Sequence, residues 1–321
     1  MSLAPADPTP SKAPEAVNHQ EPPPSTSESD DKESDRQLPH PVLRVELRDL
    51  RHEATRVFLD NINAASDVAN LVDTVVQILY YPSKSSSTEP APTSDSQPES
   101  SRDGQKPLRP HPYKPHVPGT RSVTLVLRDM DGVAYTTGLE LDDDHKEIHF
   151  SLSYISGVAK RFSSASRSTS TSTSASQPTN SATPPDSSPV PSPSSWSTTT
   201  SNHEVRKELL GVICHELVHC YQHNALGSAP GGLIEGMADF VRLRAGFVPP
   251  HWKREGGRKW DAGYQTTGYF LDWLEGRCGE GTVRRLNGAL REKEYKKSLW
   301  VDLFGEGVET LWGEYCKSLN E

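Results

Sequence analysis

Three stretches of low-complexity sequence limit what this chain can fold into. Residues 1–40 and 84–117 are rich in proline and serine, and residues 160–202 consist almost entirely of serine, threonine, proline and alanine. Such segments carry too little apolar surface to offset the entropy lost on ordering them. We therefore predict a disordered acidic tail at 1–40 and one folded domain at 41–321, interrupted by disordered insertions at 84–117 and 160–202.

The charge pattern and the cysteine content limit the possible partners and compartments. The chain has a net charge of −9, and its tail carries eight acidic and three basic residues. The remainder of the chain has no stripe of basic residues, which argues against nucleic acid as a partner. No apolar run reaches the length of a membrane span, and the N-terminus lacks the apolar segment of a signal peptide. Four cysteines are too few for a secreted disulfide scaffold. We expect a monomer in the cytoplasm or nucleus, with no membrane partner.

The periodicity of the remaining sequence indicates an α+β domain. Alternation of apolar and polar residues predicts four strands in a mainly antiparallel sheet, at 42–49, 122–129, 133–141 and 146–155. Helical spacing predicts two helices between the first two strands, the second capped by Ser66, and a helical C-terminal half. The helices of that half are expected at 203–223, 233–245, 264–276, 280–291 and 307–319. Strands that come first and helices that come last are typical of the α+β class.

The segment "EVRKELLGVICHELVHCYQH" contains the motif that constrains the function most. On a helix, His215 and His219 leave the same face one turn apart, so their imidazoles can share one tetrahedral Zn²⁺. Glu216 follows the first histidine, and its carboxylate can reach a metal-bound water as a general base. The same pattern also arises by chance on an amphipathic helix with its histidines facing solvent. The motif alone leaves both interpretations open.

The next predicted helix, within "GGLIEGMADFVRL", favours the metal site. Glu235 and Asp239 share a face opposite an apolar stripe, and two buried carboxylates without partners would be costly. Glu235 is the candidate third ligand, whereas His223 lies one turn too far along a straight helix to converge. Asp239 would accept a hydrogen bond from a ligand histidine and fix its tautomer. Gly231 and Gly232 are expected to let the chain turn back toward the histidines.

A tyrosine and a strand are further candidates for the site. If a metal-bound water attacks a carbonyl group, the oxyanion that forms needs an electrophile besides the metal, and Tyr264 can donate a hydrogen bond without adding charge. The alternative is that Tyr264 packs in the core with Trp260 and Phe270. The strand at 146–155 is the expected edge of the cleft, where an extended peptide would pair with the sheet.

The sequence resembles the basic secretory protein family, which comprises peptidases of plants, bacteria and fungi, most densely from 205 to 276 and more weakly over 41–83, 118–159 and the C-terminal helices. The likeness rests on "HELVHCYQ", "GGLIEGMADFVRLRAGF", "PPHW" and "WDAGYQTTGYFLDWLE". HExxH followed by ExxxD is also similar to the gluzincin arrangement. The resemblance implies a zincin-like fold, His215, His219 and Glu235 as zinc ligands, Glu216 as base and Asp239 behind a histidine. It implies secretion as the alternative location, although this chain lacks the signal and is acidic.

The motif and the resemblance together predict a gluzincin-like zinc endopeptidase. It would hydrolyse peptide bonds by a zinc-activated water with Glu216 as general base, and its partners would be Zn²⁺ and a peptide or protein substrate. The alternative, from another functional class, is a catalytically weak peptide- or protein-binding module that keeps zinc for structure. Glu216 disfavours this alternative, because a structural site has no use for a base beside its ligand.

Overall fold

A computed structural model of the chain describes residue 38 and residues 40–82, 114–170 and 193–320. These residues belong to one compact unit, Leu38–Glu321. Nearly all of the predicted tail and of the first predicted insertion lie outside the described residues. The second predicted insertion is described at both ends, where its backbone is helical as far as residue 170 and again from residue 193.

The described elements confirm the α+β class. One sheet contains β1 (Val42–Leu47), β2 (Ser122–Arg128), β3 (Ala134–Leu139) and β4 (Asp142–Ser151). The helices of the described residues are α1 (Glu53–Asn61), α2 (Ala64–Tyr80), α3 (Leu152–Ser170), α4 (Pro193–Tyr221), α5 (Gly231–Arg244), α6 (Tyr264–Cys278), α7 (Thr282–Ala289), α8 (Ser298–Phe304) and α9 (Val308–Ser318). Among these described helices, none is long and apolar enough to span a membrane.

The sheet is mixed, so the prediction of a mainly antiparallel sheet is wrong. Its order is β1-β2-β4-β3, in which β1–β2 and β2–β4 pair in parallel and β3–β4 pair antiparallel. The connection from β1 to β2 carries α1 and α2, and a helical crossover of this kind returns the chain in the same direction. β4 then inserts between β2 and β3. The cleft edge predicted at 146–155 is therefore an interior strand, and β3 takes the edge.

The end of β4 turns directly into a helix that the alternation pattern conceals. The predicted strand at 146–155 ends at Ser151, and α3 begins with Leu152. The Ser151 hydroxyl accepts a hydrogen bond from the Tyr154 amide at 3.2 Å, as an N-cap residue does. A serine inside an alternating segment was the available signal for this boundary.

Helix α4 lies at the centre of the fold. It contacts α2, α3 and α5 as well as β3 and β4. Every residue from 208 to 218 is buried, including Leu209, Ile213 and Leu217. A helix buried on all sides is a core element rather than a surface helix with one polar face. The solvent-facing interpretation of the HExxH motif is therefore wrong.

The C-terminal end of α4 is held by side chains from other parts of the chain. The Tyr80 hydroxyl donates to the Tyr221 carbonyl, and the Thr120 hydroxyl donates to the Cys220 carbonyl at 3.1 Å. The last carbonyls of a helix have no partner within the helix. These two hydrogen bonds therefore fix the turn of α4 that carries His219.

An ion pair joins α2 to α4. Two guanidinium nitrogens of Arg206 donate to the Asp67 carboxylate, each at 2.7 Å, and the Asn63 amide donates to Asp67 at 2.8 Å. Asn63 is the N-cap of α2, and its side chain accepts from the Ser66 amide, so the predicted Ser66 cap is one turn too late. The hydrogen bonds from Arg206 hold the pKa of Asp67 below its usual value.

We expect Asp67→Asn to lower the free energy of unfolding by about 1–3 kcal/mol at neutral pH, because it leaves Arg206 without its anion. The pKa of Asp67 is depressed in the folded state, so this stability is present above the unfolded pKa of about 3.9 and is lost as the pH falls through the folded value. Urea unfolding at pH 7 and at about pH 3 tests this. Asp60→Asn, which removes an exposed ion pair with Arg56, is the control. Equal losses for both variants would contradict the prediction.

Candidate metal centre

The five residues predicted for the metal site lie on two neighbouring helices. His215, Glu216 and His219 are on α4, and Glu235 and Asp239 are on α5, which contacts α4. All five line one cleft with a volume of about 1020 Å³. The fold therefore brings together every residue that spacing and resemblance indicated for this site.

Three of these side chains converge on one point. Nε2 of His215 lies 3.1 Å from Oε2 of Glu235, and Nε2 of His219 lies 3.8 Å from the same oxygen. The ligand atoms of the three residues lie within 4.8 Å of one another. Tetrahedral zinc ligands, at about 2.0–2.1 Å from the ion, are roughly 3.4 Å apart. The donors and their separations therefore fit a small cation held between them.

Asp239 fixes the orientation of the first histidine. Nδ1 of His215 lies 2.7 Å from Oδ1 of Asp239, which is 2% exposed. With the Nδ1 proton directed at this carboxylate, Nε2 is left to face Glu235. Burial opposes a charge on His215, but its hydrogen bonds to Asp239 and Glu235 outweigh it and raise the pKa to about 9. In the absence of a cation, the positive charge on His215 therefore offsets one of the two neighbouring carboxylate charges.

The second histidine stays neutral. Burial and the neighbouring charge of His215 lower the pKa of His219 to about 4. The two rings meet edge to face with centroids 4.9 Å apart. The Gln222 amide nitrogen lies 2.6 Å from Nδ1 of His219. His219 therefore presents a neutral imidazole to the site, with a carboxamide behind it.

Glu216 is held by the edge strand of the sheet. The Thr136 hydroxyl on β3 donates to Oε2 of Glu216 at 2.7 Å and lies 2.9 Å from its backbone carbonyl oxygen. Glu216 is 6% exposed, and burial raises the pKa of its carboxyl. A buried carboxylate with a raised pKa is suited to exchange protons near neutral pH. No sequence pattern distinguishes Thr136 from Thr137, because only the register of β3 against α4 decides which faces the base.

Tyr264 lies in the cleft and not in the core. It begins α6 and is 60% exposed, and its ring stacks on His215 with centroids 6.2 Å apart and an interplanar angle of 14°. Trp260 and Phe270, its alternative partners, instead pack against Trp300. The φ of Tyr264 is +47°, a conformation that residues with a Cβ adopt rarely and mostly at functional sites. The charge of Glu235 raises the pKa of the phenol, which keeps its proton for donation.

Comparison with known families agrees with this geometry. A family model described as "Peptidase of plants and bacteria" (BSP) matches residues 40–173 and 165–315. The chain belongs to this peptidase family. The match confirms the resemblance to the basic secretory protein family, including its weaker part over the strands of the sheet. Peptides or proteins are therefore its substrates. No curated protein and no solved structure gives a significant match.

In this member of the BSP peptidases, glycines set the spacing between α5 and the segment that carries Tyr264. A Cβ on Gly232 would lie 1.8 Å from the Asp261 carbonyl oxygen, and a Cβ on Gly236 would lie 2.3 Å from the Thr267 side chain. Gly231 and Gly232 are helical residues of α5, so their predicted role as a turn is wrong. Gly232 instead permits close approach. The same contact therefore positions Glu235 and Tyr264 relative to each other.

We expect Gly236→Ala to destabilise the peptidase by about 1–3 kcal/mol, because the added methyl group overlaps Thr267 and forces α5 and α6 apart. The free energy of unfolding in urea measures this. Gly276→Ala is the matched control, since Gly276 is an exposed residue of α6 with nothing within 4 Å of an added Cβ. The free energy of unfolding of the control should rise by about 0.5–1 kcal/mol, because alanine has a higher helix propensity than glycine. A higher free energy of unfolding in both variants would contradict the close packing of α5 against α6.

A buried polar chain continues the cleft wall of this peptidase beyond the His215, His219 and Glu235 cluster. The Arg242 guanidinium donates to Oε2 of Glu208 at 3.3 Å, and the Tyr154 hydroxyl donates to Oε1 at 2.6 Å. The Arg242 side chain lies over the Trp252 ring at 5.2 Å and fills the space left by Gly211. The sequence did not identify this group, because its members come from four separate elements and share no spacing.

Proposed function

We propose that the chain is a zinc-dependent endopeptidase of the gluzincin type, in which His215, His219 and Glu235 hold Zn²⁺. The observation that carries the proposal is the convergence of two imidazole nitrogens and one carboxylate oxygen within 4.8 Å, from two helices. Two imidazoles with one carboxylate form a donor set of catalytic zinc sites, whereas Ca²⁺ and Mg²⁺ take oxygen ligands. Asp239 supports the proposal by holding one ligand in the required tautomer.

Glu216 is the proposed general base. When bound, Zn²⁺ supplies a Lewis acid that polarises the scissile carbonyl and lowers the pKa of a water. Glu216 removes a proton from the attacking water and delivers it to the leaving amine nitrogen. Its raised pKa suits both transfers. Thr136 occupies Oε2 of Glu216, so Oε1 is the oxygen left to exchange the proton.

Tyr264 and β3 are the proposed contacts with the substrate. The Tyr264 phenol donates to the oxyanion that develops on the attacked carbonyl. Residues 132–136 line the cleft, and β3 is the last strand of the described sheet, so its backbone can pair with an extended peptide. A cleft of about 1020 Å³ has room for several substrate residues, as an endopeptidase requires.

Substitution of the base separates catalysis from metal binding. We expect Glu216→Gln to keep its zinc and its fold but to lose roughly 10²–10⁴-fold in turnover. Glu235→Ala should lose zinc, whereas His223→Gln should keep it, because Nε2 of His223 lies by the His116 carbonyl, 3.2 Å away. Metal analysis and cleavage of a peptide library, with and without a chelator, measure both properties. A wild-type chain without zinc would refute the proposal, and a Glu216→Gln variant as active as wild type would refute Glu216 as the base. A zinc-loaded wild type that cleaves no peptide would favour the binding module.

Thr136 offers a finer test of the base. Thr136→Val preserves shape and strand propensity but removes the donor to Glu216, so we expect kcat to fall about tenfold or more with KM little changed. Thr136→Ser should restore most of the loss. Thr137→Val is the control, because Thr137 is exposed and its hydroxyl donates to the neighbouring Gly138 carbonyl at 3.2 Å. Equal kcat values for the two valine variants would show that the hydrogen bond does not position the base.

A further inference from the structure

The side chain of Gln222 is oriented in a way that leaves one of its groups unsatisfied. Its amide nitrogen lies 2.6 Å from Nδ1 of His219, whereas its amide oxygen is buried and has no hydrogen-bond partner. A buried polar group without a partner is costly. This arrangement also requires Nδ1 of His219 to accept a hydrogen bond, so the proton of the neutral ring would lie on Nε2.

A proton on Nε2 conflicts with the rest of the centre. Nε2 of His219 is the nitrogen that faces Glu235, and it must carry a lone pair to bind a cation there. The oxygen and nitrogen of a carboxamide have nearly the same size, so their assignment follows from the hydrogen-bond network. Exchanging the two atoms of Gln222 lets Oε1 accept from the Nδ1 proton of His219. The exchange lets Oε1 accept from Nδ1 and leaves the lone pair of Nε2 free for a cation, and it moves the amide nitrogen to the position that the oxygen held.

The backbone of Gln222 supports a fixed role for the side chain. Gln222 is three residues beyond His219, a spacing that places two side chains on the same helical face. Its amide donates to the Val218 carbonyl at 2.7 Å, which continues the hydrogen bonds of α4 by one residue. Tyr80 and Thr120 hold the carbonyls of the two preceding residues. These hydrogen bonds fix the backbone at the end of α4, so the carboxamide of Gln222 lies in a defined position beside His219.

We propose that Gln222 is a positioning residue whose amide oxygen accepts the Nδ1 proton of His219 and so selects the tautomer that binds metal through Nε2. The inference rests on the proposed zinc site and deepens it. The two histidines are then supported differently, His215 by the anionic Asp239 and His219 by a neutral carboxamide. The neutral group fixes the second ring without adding another negative charge to the centre.

Zinc affinity of the full chain tests the inference without reference to catalysis. Gln222→Met keeps the size of the side chain but cannot accept the proton, so we expect zinc affinity to fall about 10–100-fold in competition with a chelator of known affinity. Gln222→Glu can only accept while ionised, so it should bind zinc at least as tightly as wild type. Gln265→Met is the matched control: Gln265 lines the same cleft, and its amide oxygen also lacks a partner. Its zinc affinity should equal that of wild type.

The outcomes are separable from failure of the proposed function. A wild-type chain that binds no zinc overturns the metal site itself. Wild-type affinity in Gln222→Met, or a large loss in Gln222→Glu, overturns the role of Gln222 while the metal site stands. If Gln222→Met does not fold, Gln222→Glu still decides, because a carboxylate cannot replace a donating amide. In the zinc-loaded wild type, ¹⁵N NMR of the histidines should show His219 protonated at Nδ1, and protonation at Nε2 would refute the proposal.

Discussion

The hydrogen bond between His215 and Asp239 is the contact on which the centre depends. Both groups are nearly buried, and the bond joins α4 to α5 at 2.7 Å. Separating them would leave a carboxylate without a partner in the interior, which costs several kcal/mol. The relative position of the two helices is therefore fixed where the ligands meet. Glu235 lies one helical turn before Asp239, so its approach to the histidines follows from the same contact.

The burial of α4 explains why support for the site comes from so many elements. The polar groups of residues 208–218 of α4 are buried and cannot rely on water, so each needs a partner from a neighbouring element. Glu216 finds Thr136 on β3, His215 finds Asp239 on α5, and Glu208 finds Tyr154 on α3. Each hydrogen bond that offsets the cost of burial also fixes the direction of a side chain. Stability and preorganisation of the cleft thus have one physical origin.

The parts of the site that the sequence predicted are those set by local spacing. His215 and His219, like Glu235 and Asp239, are four residues apart on single helices, and helical geometry alone places each pair on one face. The sequence did not predict a role for Thr136 or for Gln222, and the reasons differ. The role of Thr136 depends on the register of β3, which is a non-local property. Gln222 was within a quoted motif, but its role depends on which amide atom faces the ring.

The errors in the predicted fold have the same cause. Alternation identified the strands but carries no information about their direction, so the parallel pairing of β4 with β2 was missed. Helix α8 was missed because it is short, Ser298–Phe304, and is held by the burial of Trp300 and Phe304 rather than by a periodic pattern. Local sequence therefore predicted which elements form, whereas tertiary packing decided how they pair.

The charge of the centre gives a reason for the unequal support of its two histidines. Glu216, Glu235 and Asp239 place three carboxylates in one cleft, and Glu216 and Asp239 are buried. Without a cation, the proton on His215 and the raised pKa of Glu216 limit the negative charge there. The proposed divalent cation would replace that proton and balance two of the three carboxylates. A fourth carboxylate behind His219 would strengthen the hold on the metal but weaken its pull on the electrons of a substrate carbonyl. A neutral carboxamide at Gln222 fixes the ring and keeps the centre electrophilic.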